Sequence, residues 1–576
     1  MTSPLKKKLP MNSDRHPAPG SPAPAFSGLG SQPIQPAAAC PTPDTGSNPR
    51  RTAAVSAQYR AEASRFCPAN RIPSRGASLL GSFSSAALVL ALAGCMPGPK
   101  YHAPAAPAST APAYKESTVH FQDTEGWKVA NPQDAMLKGK WWEIYNEPEL
   151  NQLEDQLDIN NQNIKVYFEN FMEARALIRE ARAQYWPTVT TSPSWNRSRS
   201  SGNLTNSSTA NTGKTSSIWT FPLDVSWTPD FFGKIRSEVR EAQYGAQVSA
   251  ADLENEKLVE EASLAEYFFE LRGQDALQKI LDDTVTADQK ALDLTQTLYD
   301  TGVDQYISVV EAKATLEAAQ SAALNLGVAR AQYQHAIAML VGKPATDVSL
   351  PVRPLLAEPP PIPIGVPGQL LQRRPDIAAA ERTLAEANAT IGIGYGAFFP
   401  DVTLSAAGGF EASSFQHWFD WPSRFWSIGP SISQTIFNGG LYRAELQQYT
   451  ATYNADVATY RQTVLTAFQQ VEDYLAATRI LSQQVIKQRQ ATADAQTSLD
   501  LELGRYQTGL DPYIDVTTAQ ATVLADQQTL ASLQIQESVA SVELIQALGG
   551  GWDVTQLPTP AQLSVKPAKT DYVREK

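Results

Sequence analysis

Tyr299-Asp-Thr-Gly-Val-Asp-Gln-Tyr-Ile-Ser-Val-Val-Glu-Ala312 returns 207 residues later as Tyr506-Gln-Thr-Gly-Leu-Asp-Pro-Tyr-Ile-Asp-Val-Thr-Thr-Ala519, with eight of fourteen positions identical. A second pair keeps the same order: Ala183-Gln-Tyr-Trp-Pro-Thr-Val-Thr190 against Gly396-Ala-Phe-Phe-Pro-Asp-Val-Thr403. A looser third sets Phe231-Phe-Gly-Lys-Ile-Arg236 against Phe437-Asn-Gly-Gly-Leu-Tyr-Arg443. Three landmarks in one order at nearly one spacing mark a duplicated unit, which has to be recognised before the fold is assigned.

Each unit passes through the same periodicities. The first is helical from about Pro148 to Gln184 and extended from Pro187 to Trp195. Ser200 to Ser216 is rich in Ser, Thr, Asn and Gly and has turn chemistry. Trp219, Phe221, Leu223, Val225 and Trp227 then alternate with polar neighbours, the two-residue period of a strand with one apolar face. The second unit repeats this with Val402, Leu404 and Ala406, and with Trp426, Ile428 and Ile432 opposite Ser427, Gly429, Ser431 and Ser433. After each hairpin comes a long helix. Gly233 to Leu298 holds no Pro and only Gly245 and Gly273 inside it. Such a helix is on the order of 100 Å long. Leu277, Ile280, Thr284, Ala287, Ala291, Leu294 and Leu298 follow 3,4 spacing, as do Val309, Ala312, Leu316, Ala319, Ala323 and Leu326 beyond the Tyr-Asp-Thr-Gly break. This is a coiled-coil seam with many small residues. A cytosolic coiled-coil rod shares that seam but has no use for strands.

Two hairpins in one chain cannot span a membrane alone, because backbone polar groups in lipid must all be paired and the sheet must close. The strands have roughly the 9–11 residues that crossing requires. Trp219, Trp227, Trp418, Trp421 and Trp426 stand in or beside them as an aromatic girdle would. Four strands per chain therefore predict that several chains share one barrel, apolar face to lipid and Ser/Thr/Asp face to a wet lumen. A water-soluble sheet packed on one face is the alternative, and a periplasm-spanning tether without a pore is another.

Residues 1–70 are rich in Pro, Ala and Ser, carry Lys6-Lys7-Lys8, and lack apolar periodicity, so they read as a disordered extension. Arg71 and Arg75, the apolar stretch Ala77 to Ala93, and Leu92-Ala93-Gly94-Cys95 describe a signal peptide, too short for a membrane span. Leu-Ala-Gly-Cys resembles the bacterial lipobox, which implies cleavage before Cys95 and a covalent lipid on it. A signal starting this far in predicts a translation start downstream of Met1.

The formal net charge is −12, but residues 1–94 carry ten Lys/Arg and three Asp/Glu, leaving the body at −19. That acidity excludes a phosphate-backbone partner, so no nucleic acid is expected. Cysteines stand only at Cys40, Cys67 and Cys95, so the body can hold no disulfide or thiolate metal site. His16, His102, His120, His335 and His417 are scattered without metal spacing. No phosphate loop, His-Glu-x-x-His or Gly-x-Ser-x-Gly occurs, so neither an enzyme nor a cofactor beyond the lipid is expected.

In this setting Cys95-Met-Pro-Gly-Pro-Lys-Tyr101, Trp141-Trp142, Trp227-x-x-Asp230-x-Phe232-Gly233, Gln372-Arg373-Arg374-Pro375-Asp376-Ile377 and Ala380-Glu381-Arg382 with Asn388 are specific. The chain resembles the TolC/OprM outer-membrane factors, in their lipoprotein (NodT-like) branch, over about residues 95–551. The resemblance implies a mainly α protein with a small membrane β part, its two tandem repeats giving a trimeric 12-stranded β-barrel joined to a long coiled-coil α-barrel. It implies a homotrimer in outer-membrane lipid, a periplasmic adaptor and an inner-membrane pump, proton-driven by analogy with the branch. The duct would passively export small molecules, as in multidrug resistance. The chain then divides into the 1–70 extension, 71–94 signal peptide, 95–140 lipid-anchored segment, 141–345 first repeat, 346–372 Pro-rich linker, 373–551 second repeat and 552–576 tail.

The two Tyr-x-Thr-Gly turns lie at the far end from the strands and mark the periplasmic mouth, with Gly302 and Gly509 supplying positive φ. Asp304, Glu311, Asp511 and Asp515 gather there, and as rings in a trimer they would attract cations and constrict the entrance. The resemblance implies a constriction of one apolar and one acidic residue. Ile514 matches the apolar position, Thr518 stands where the acid is expected, and Glu311 holds the equivalent place in the first unit. Solvated acids favoured at helix starts are the plainer reading of the same residues. Pro375 and Asp376 suit a helix start, and Arg373, Arg374, Trp141 and Trp142 read as structural.

Overall fold

The computed structural model describes residues 98–106, 114–116, 139–201, 214–354, 358–362 and 370–565. The signal peptide, Cys95 and the last residues of the tail lie outside the described residues. The duplication is visible in element lengths. Helix α1 is Pro148–Asn160, α2 is Gln162–Ala183, α3 is Lys234–Asp300 and α4 is Tyr306–Leu340. In the second repeat α5 is Pro375–Gly396, α6 is Leu441–Gln507 and α7 is Tyr513–Ala547. Helices α3 and α6 both have 67 residues, α4 and α7 both 35, and each second-repeat partner begins 207 residues after its counterpart. Both 67-residue helices start from a left-handed glycine, Gly233 at φ 76° and Gly440 at φ 92°.

The run predicted as one helix from Pro148 to Gln184 is two. Asn161 leaves helical geometry at ψ 129°, and its side-chain oxygen accepts from the N–H groups of Asn163 and Ile164, capping α2.

Four strands are expected, and the sheet has four paths built from five strands. These are β1 (Thr188–Thr191), β2 (Ser194–Arg199), β3 (Thr215–Trp227), β4 (Asp401–Ala412) and β5 (Arg424–Ser433). All pairs are antiparallel, with β1 and β2 both on β3, then β4, then β5. The ladders of β1 and β2 on β3 share one register, so Ser192-Pro193 faces Phe221-Pro222. Two prolines among four facing residues remove ladder donors and split the path without an inserted residue. The β3–β4 pairing joins the two repeats edge to edge.

Two cores lie where the helix pairs cross. The first gathers Trp141, Trp142, Leu150, Leu157, Phe268 and Ile337, and the second Ile377, Leu384, Val464, Val471, Leu475 and Leu544. Helix α3 touches α2, α4, α5 and α7, while α6 rests on α5 and α7. Small residues permit this closeness. A Cβ on Gly273 of α3 would stand 2.3 Å from Ile535 Cδ1 of α7. The predicted seam is buried at Ala291, Val309, Ala312, Leu316 and Ala319, and half-buried at Leu277, Ile280, Thr284, Leu294 and Leu298. Ala287 is exposed.

Candidate functional site

Both helix tips fold by the same turn. Gly302 at φ 77° and Gly509 at φ 73° each follow the helix end. Val303 N–H reaches back to Leu298 O and Gly302 N–H to Tyr299 O, each at 2.9 Å. Leu510 to Arg505 and Gly509 to Tyr506 repeat the pattern. This paired closure is a Schellman cap, and it needs the left-handed residue that glycine supplies.

The acids expected at the tips do not behave alike. Asp304 Oδ1 accepts from Gln305 N–H at 2.7 Å and Ser308 Oγ at 3.0 Å, while the Tyr506 hydroxyl donates to Oδ2 at 2.7 Å. Burial works against ionisation of Asp304, yet these three donors hold its carboxyl below the ordinary carboxylate range. Burial, and to a lesser degree the bond to Asp304, pushes the Tyr506 phenol up to about 12. Tyr506 therefore ties the end of the second repeat's long helix to the first repeat's turn. Asp511, 207 residues after Asp304, is held by the guanidinium of Arg505, whose hydrogen bonds depress its carboxyl.

Asp515 is exposed in the first turn of α7 and Ile514 is 53% exposed. The Thr518 hydroxyl donates to Ile514 O at 2.8 Å, so it is turned onto its own helix. Glu311 is half-buried, close enough to Tyr513 to help burial raise that phenol. Sequence reading missed the pairing of Tyr506 with Asp304 and of Arg505 with Asp511. The tyrosines stand in the repeated motif, but motif identity does not say that Tyr513 is buried while its counterpart Tyr306 is 62% exposed. Val303, Ile307 and Leu510 were also missed; they are 66%, 60% and 72% exposed at the tips. Beside the tips an open groove of about 750 Å³ runs between α3, α6 and α7, lined by Ala287, Leu294, Leu499, Leu503 and Val523 among polar residues.

Arg374 precedes α5 and binds Asp376 with two bonds, Nε to Oδ1 at 3.0 Å and a second terminal bond at 2.6 Å. Its remaining nitrogen reaches Gln470 Oε1 at 2.8 Å and the last carbonyl of α7, Ala547 O, at 3.0 Å. The motif fastens three helices, as its structural reading expects. Trp141 donates Nε1–H to Glu261 Oε2 at 3.0 Å and meets Trp142 edge to face. A buried network that the sequence did not reveal lies nearby. Arg272 pairs with Asp275 and Glu149, and Arg330 joins Asp275 at 2.6 Å. Among the described residues no group of His, Cys, Asp and Glu could hold a metal ion.

At the other end the sheet separates its chemistry by face. Val189, Trp195, Leu223, Leu404, Trp426, Ile428 and Ile432 lie on one face by register, all at least 40% exposed. Thr188, Thr190, Thr220, Asp224, Ser226, Thr403, Ser405, Ser427, Ser431 and Ser433 lie on the other. The sheet is open, with β1/β2 at one edge and β5 at the other. No described helix is long and apolar enough to cross a membrane. The exposed sheet is the part with membrane chemistry.

The profile of the outer membrane efflux protein family matches residues 153–343 and 366–550. The chain belongs to that family. The antibiotic efflux pump outer membrane protein ArpC of Pseudomonas putida is 31% identical over 482 residues, covering 81% of this chain and 95% of that protein. Outer membrane protein OprJ of Pseudomonas aeruginosa is 29% identical over 478 residues, covering 82% and 96%. Among solved structures, the outer-membrane channel OprN is similar with a TM-score of 0.71 and 27% identity, covering 80% of this chain and all of that one. CusC is similar with a TM-score of 0.68 and 25% identity, over 79% and 99%. This efflux protein is accordingly an outer-membrane channel whose helices extend into the periplasm, with the mainly α fold and small β part that the resemblance implies. Its relatives are channel proteins and not enzymes.

Proposed function

We propose that three copies close one 12-stranded barrel in the outer membrane and that the joined helices form a duct through the periplasm. The observation carrying this is the open sheet of four paths, with both edges unpaired among the described residues and apolar side chains such as Val189, Leu223, Trp426, Ile428 and Ile432 exposed on one face. In lipid every strand edge must be paired, and three chains of four paths give a closed ring of ordinary size. The Thr/Ser/Asp face then lines water. A lumen of small polar groups selects weakly, so cargo choice falls to an inner-membrane pump, proton-driven in this reading, with a periplasmic adaptor between. The groove beside the tips, with Leu294, Leu499, Leu503 and Val523 in its lining, fits a helical adaptor segment.

The tips form the gate. Tyr506–Asp304 and Arg505–Asp511 hold the turns, while Ile514, Asp515, Thr518 and Glu311 line the approach between Gly302 and Gly509. Cys95 carries the lipid. Support comes from the segment after it: Asn388 Nδ2 donates to Pro99 O at 3.1 Å, Tyr101 OH to Glu381 Oε1 at 2.5 Å, and a Cβ on Gly98 would stand 2.7 Å from Gly392 Cα. Gly392 lies one turn before the end of α5, the helix that leads into β4. Cys95 precedes this docked segment by three residues.

The test is planar-bilayer conductance of the mature protein from Cys95, with oligomeric state measured in the same detergent. Discrete steps from a trimer are expected, and Asp511→Ala with Asp515→Ala should lower cation preference. A monomer or dimer without conductance refutes the barrel. A conducting trimer whose ion preference ignores both substitutions refutes the gate assignment.

A further inference from the structure

The apolar face of the sheet carries three charges, all arginine and all at the end away from the helices. By register Arg197 and Arg199 lie on that face beyond Trp195 on β2, and Arg424 lies on it beyond Trp426 on β5. Both edge strands thus read apolar, Trp, Arg toward the loop end. No acid stands on this face of β1 to β5; Asp224, Asp401 and Glu411 fall on the other. All three arginines are exposed and none has an acidic partner among the described residues. Arg424 instead lies 4.0 Å over the Trp421 ring. The β4–β5 loop folds back on the same face, where Trp418 and Phe415 meet Trp219 at 5.2 Å.

Within one chain Arg424 is separated from Arg197 and Arg199 by the width of the sheet. The duplication brings them together between chains. The hairpins superpose when β1/β2 is advanced by 213 residues and β3 by 207, as Val189↔Val225 against Val402↔Ile432 shows. The same shift carries the β3–β4 seam onto the contact between chains. In a ring closed by that shift, the Trp219↔Ala412 pair would place Trp426 against Arg199 of the partner subunit, and Phe221↔Phe410 would place Ile428 against Arg197 of the partner subunit. Arg424 would then be a diagonal neighbour of Arg199 of the partner subunit, about 7–8 Å away on one face.

Like charges gathered on a face bounded by tryptophan call for an anion at headgroup depth. Arginine's planar fork binds phosphate oxygens in pairs. The location decides the source, because this margin belongs to the outer leaflet, where an acyl-chain glycolipid presents phosphate beside the hydrocarbon. We propose that Arg424 of one chain, with Arg197 and Arg199 of the next, binds the phosphates of an anionic outer-leaflet glycolipid at each seam of the barrel. This rests on the three-chain reading above.

The test is native mass spectrometry of the full trimer titrated with diphosphorylated lipid A, a dephosphorylated form of the same lipid, and inorganic phosphate. Up to three diphosphorylated lipids per trimer are expected to stay bound, with the dephosphorylated form and free phosphate held far more weakly. Each arginine is expected to contribute roughly fivefold, so Arg197→Gln/Arg199→Gln/Arg424→Gln should weaken retention by about a hundredfold with conductance intact. Equal retention of both lipids, or a triple variant that binds as the natural protein does, overturns the proposal while leaving the channel standing. Should the triple variant not assemble, the natural trimer decides: lipid retention that does not fall with rising salt refutes phosphate recognition. An Arg197→Cys/Ile428→Cys variant should cross-link between chains. A conducting trimer in which these cysteines stay reduced under oxidant places the seam elsewhere and removes the shared site, whereas absent conductance and absent trimer refute the barrel itself.

Discussion

Tyr506→Phe removes one hydroxyl, and its effect can be worked from the tip. The hydroxyl donates to Asp304 at 2.7 Å and stands 3.3 Å from Thr295 Oγ1. Thr295 keeps its own bond to Ala291 O, so the loss falls on Asp304. A hydrogen bond to a charged group contributes about 1.5–3 kcal/mol, but Asp304 is only half-buried and water replaces part of it. About 1 kcal/mol remains, which shifts the balance between joined and splayed tips roughly fivefold per chain. Three chains acting together would raise open probability by well over tenfold. The assay is single-channel recording of Tyr506→Phe beside the natural protein, with thermal unfolding to confirm intact helical cores. The Asp304 carboxyl is held below its ordinary range, so its contribution is present in full above the unfolded value and lost only as pH falls through the lower folded one. Between pH 8 and 5 the natural tip should therefore hold. Equal open probability in the two proteins, or a natural tip that loosens between pH 7 and 5, would show that the Tyr506–Asp304 bond does not hold the tips.

Arg374→Lys keeps the charge but loses the fork on Asp376 and the bonds to Gln470 and Ala547, so thermal unfolding should show about 2 kcal/mol of destabilisation. Gly549→Ala places a Cβ 2.1 Å from Arg373 O at φ 94° and should sharply reduce folded trimer on gel filtration. Gly504→Ala meets nothing within 4 Å inside α6 and should be neutral or stabilising by up to about 1 kcal/mol. Burial pushes Glu261 up to about 8, with Lys257 and the Trp141 indole opposing the rise. A raised folded value means that its contribution is present below about pH 4.5 and lost as pH rises toward 8. Glu261→Gln should accordingly flatten the decline in melting temperature over that interval, and an unchanged slope counts against the buried-acid account.

The duplicated motif was sufficient to locate the tips because a turn between two long helices needs glycine at one position and tolerates little variation around it. Strand faces were legible for the same local reason, since β3 alternates by side chain along its own length. The break between β1 and β2 needed a partner to be seen: Pro193 ends the ladder only because Pro222 stands close across it. The split at Asn161 was hidden because the apolar spacing continues through it while the cap depends on one side chain's rotamer. Asymmetry was least legible. Tyr306 and Tyr513 share a motif, yet one is exposed and the other buried, and tertiary packing alone separates them. The Arg272 network joins residues from Glu149 to Arg353, and no spacing along the chain announces it.

The unpaired edges of the sheet bear on how the protein is inherited as well as how it folds. A lone chain has no acceptable form in lipid, so closing the ring and entering the membrane become one event, and a defective edge is not a private fault. A copy with a ruined β5 can still offer a sound β1/β2 edge and be incorporated. In the three-chain ring proposed above, a population half made of such copies would hold only about one wholly sound ring in eight under random assembly. Damage at these edges should therefore behave as dominant, whereas damage in the two helical cores, which prevents a chain from folding and so from joining, should behave as recessive.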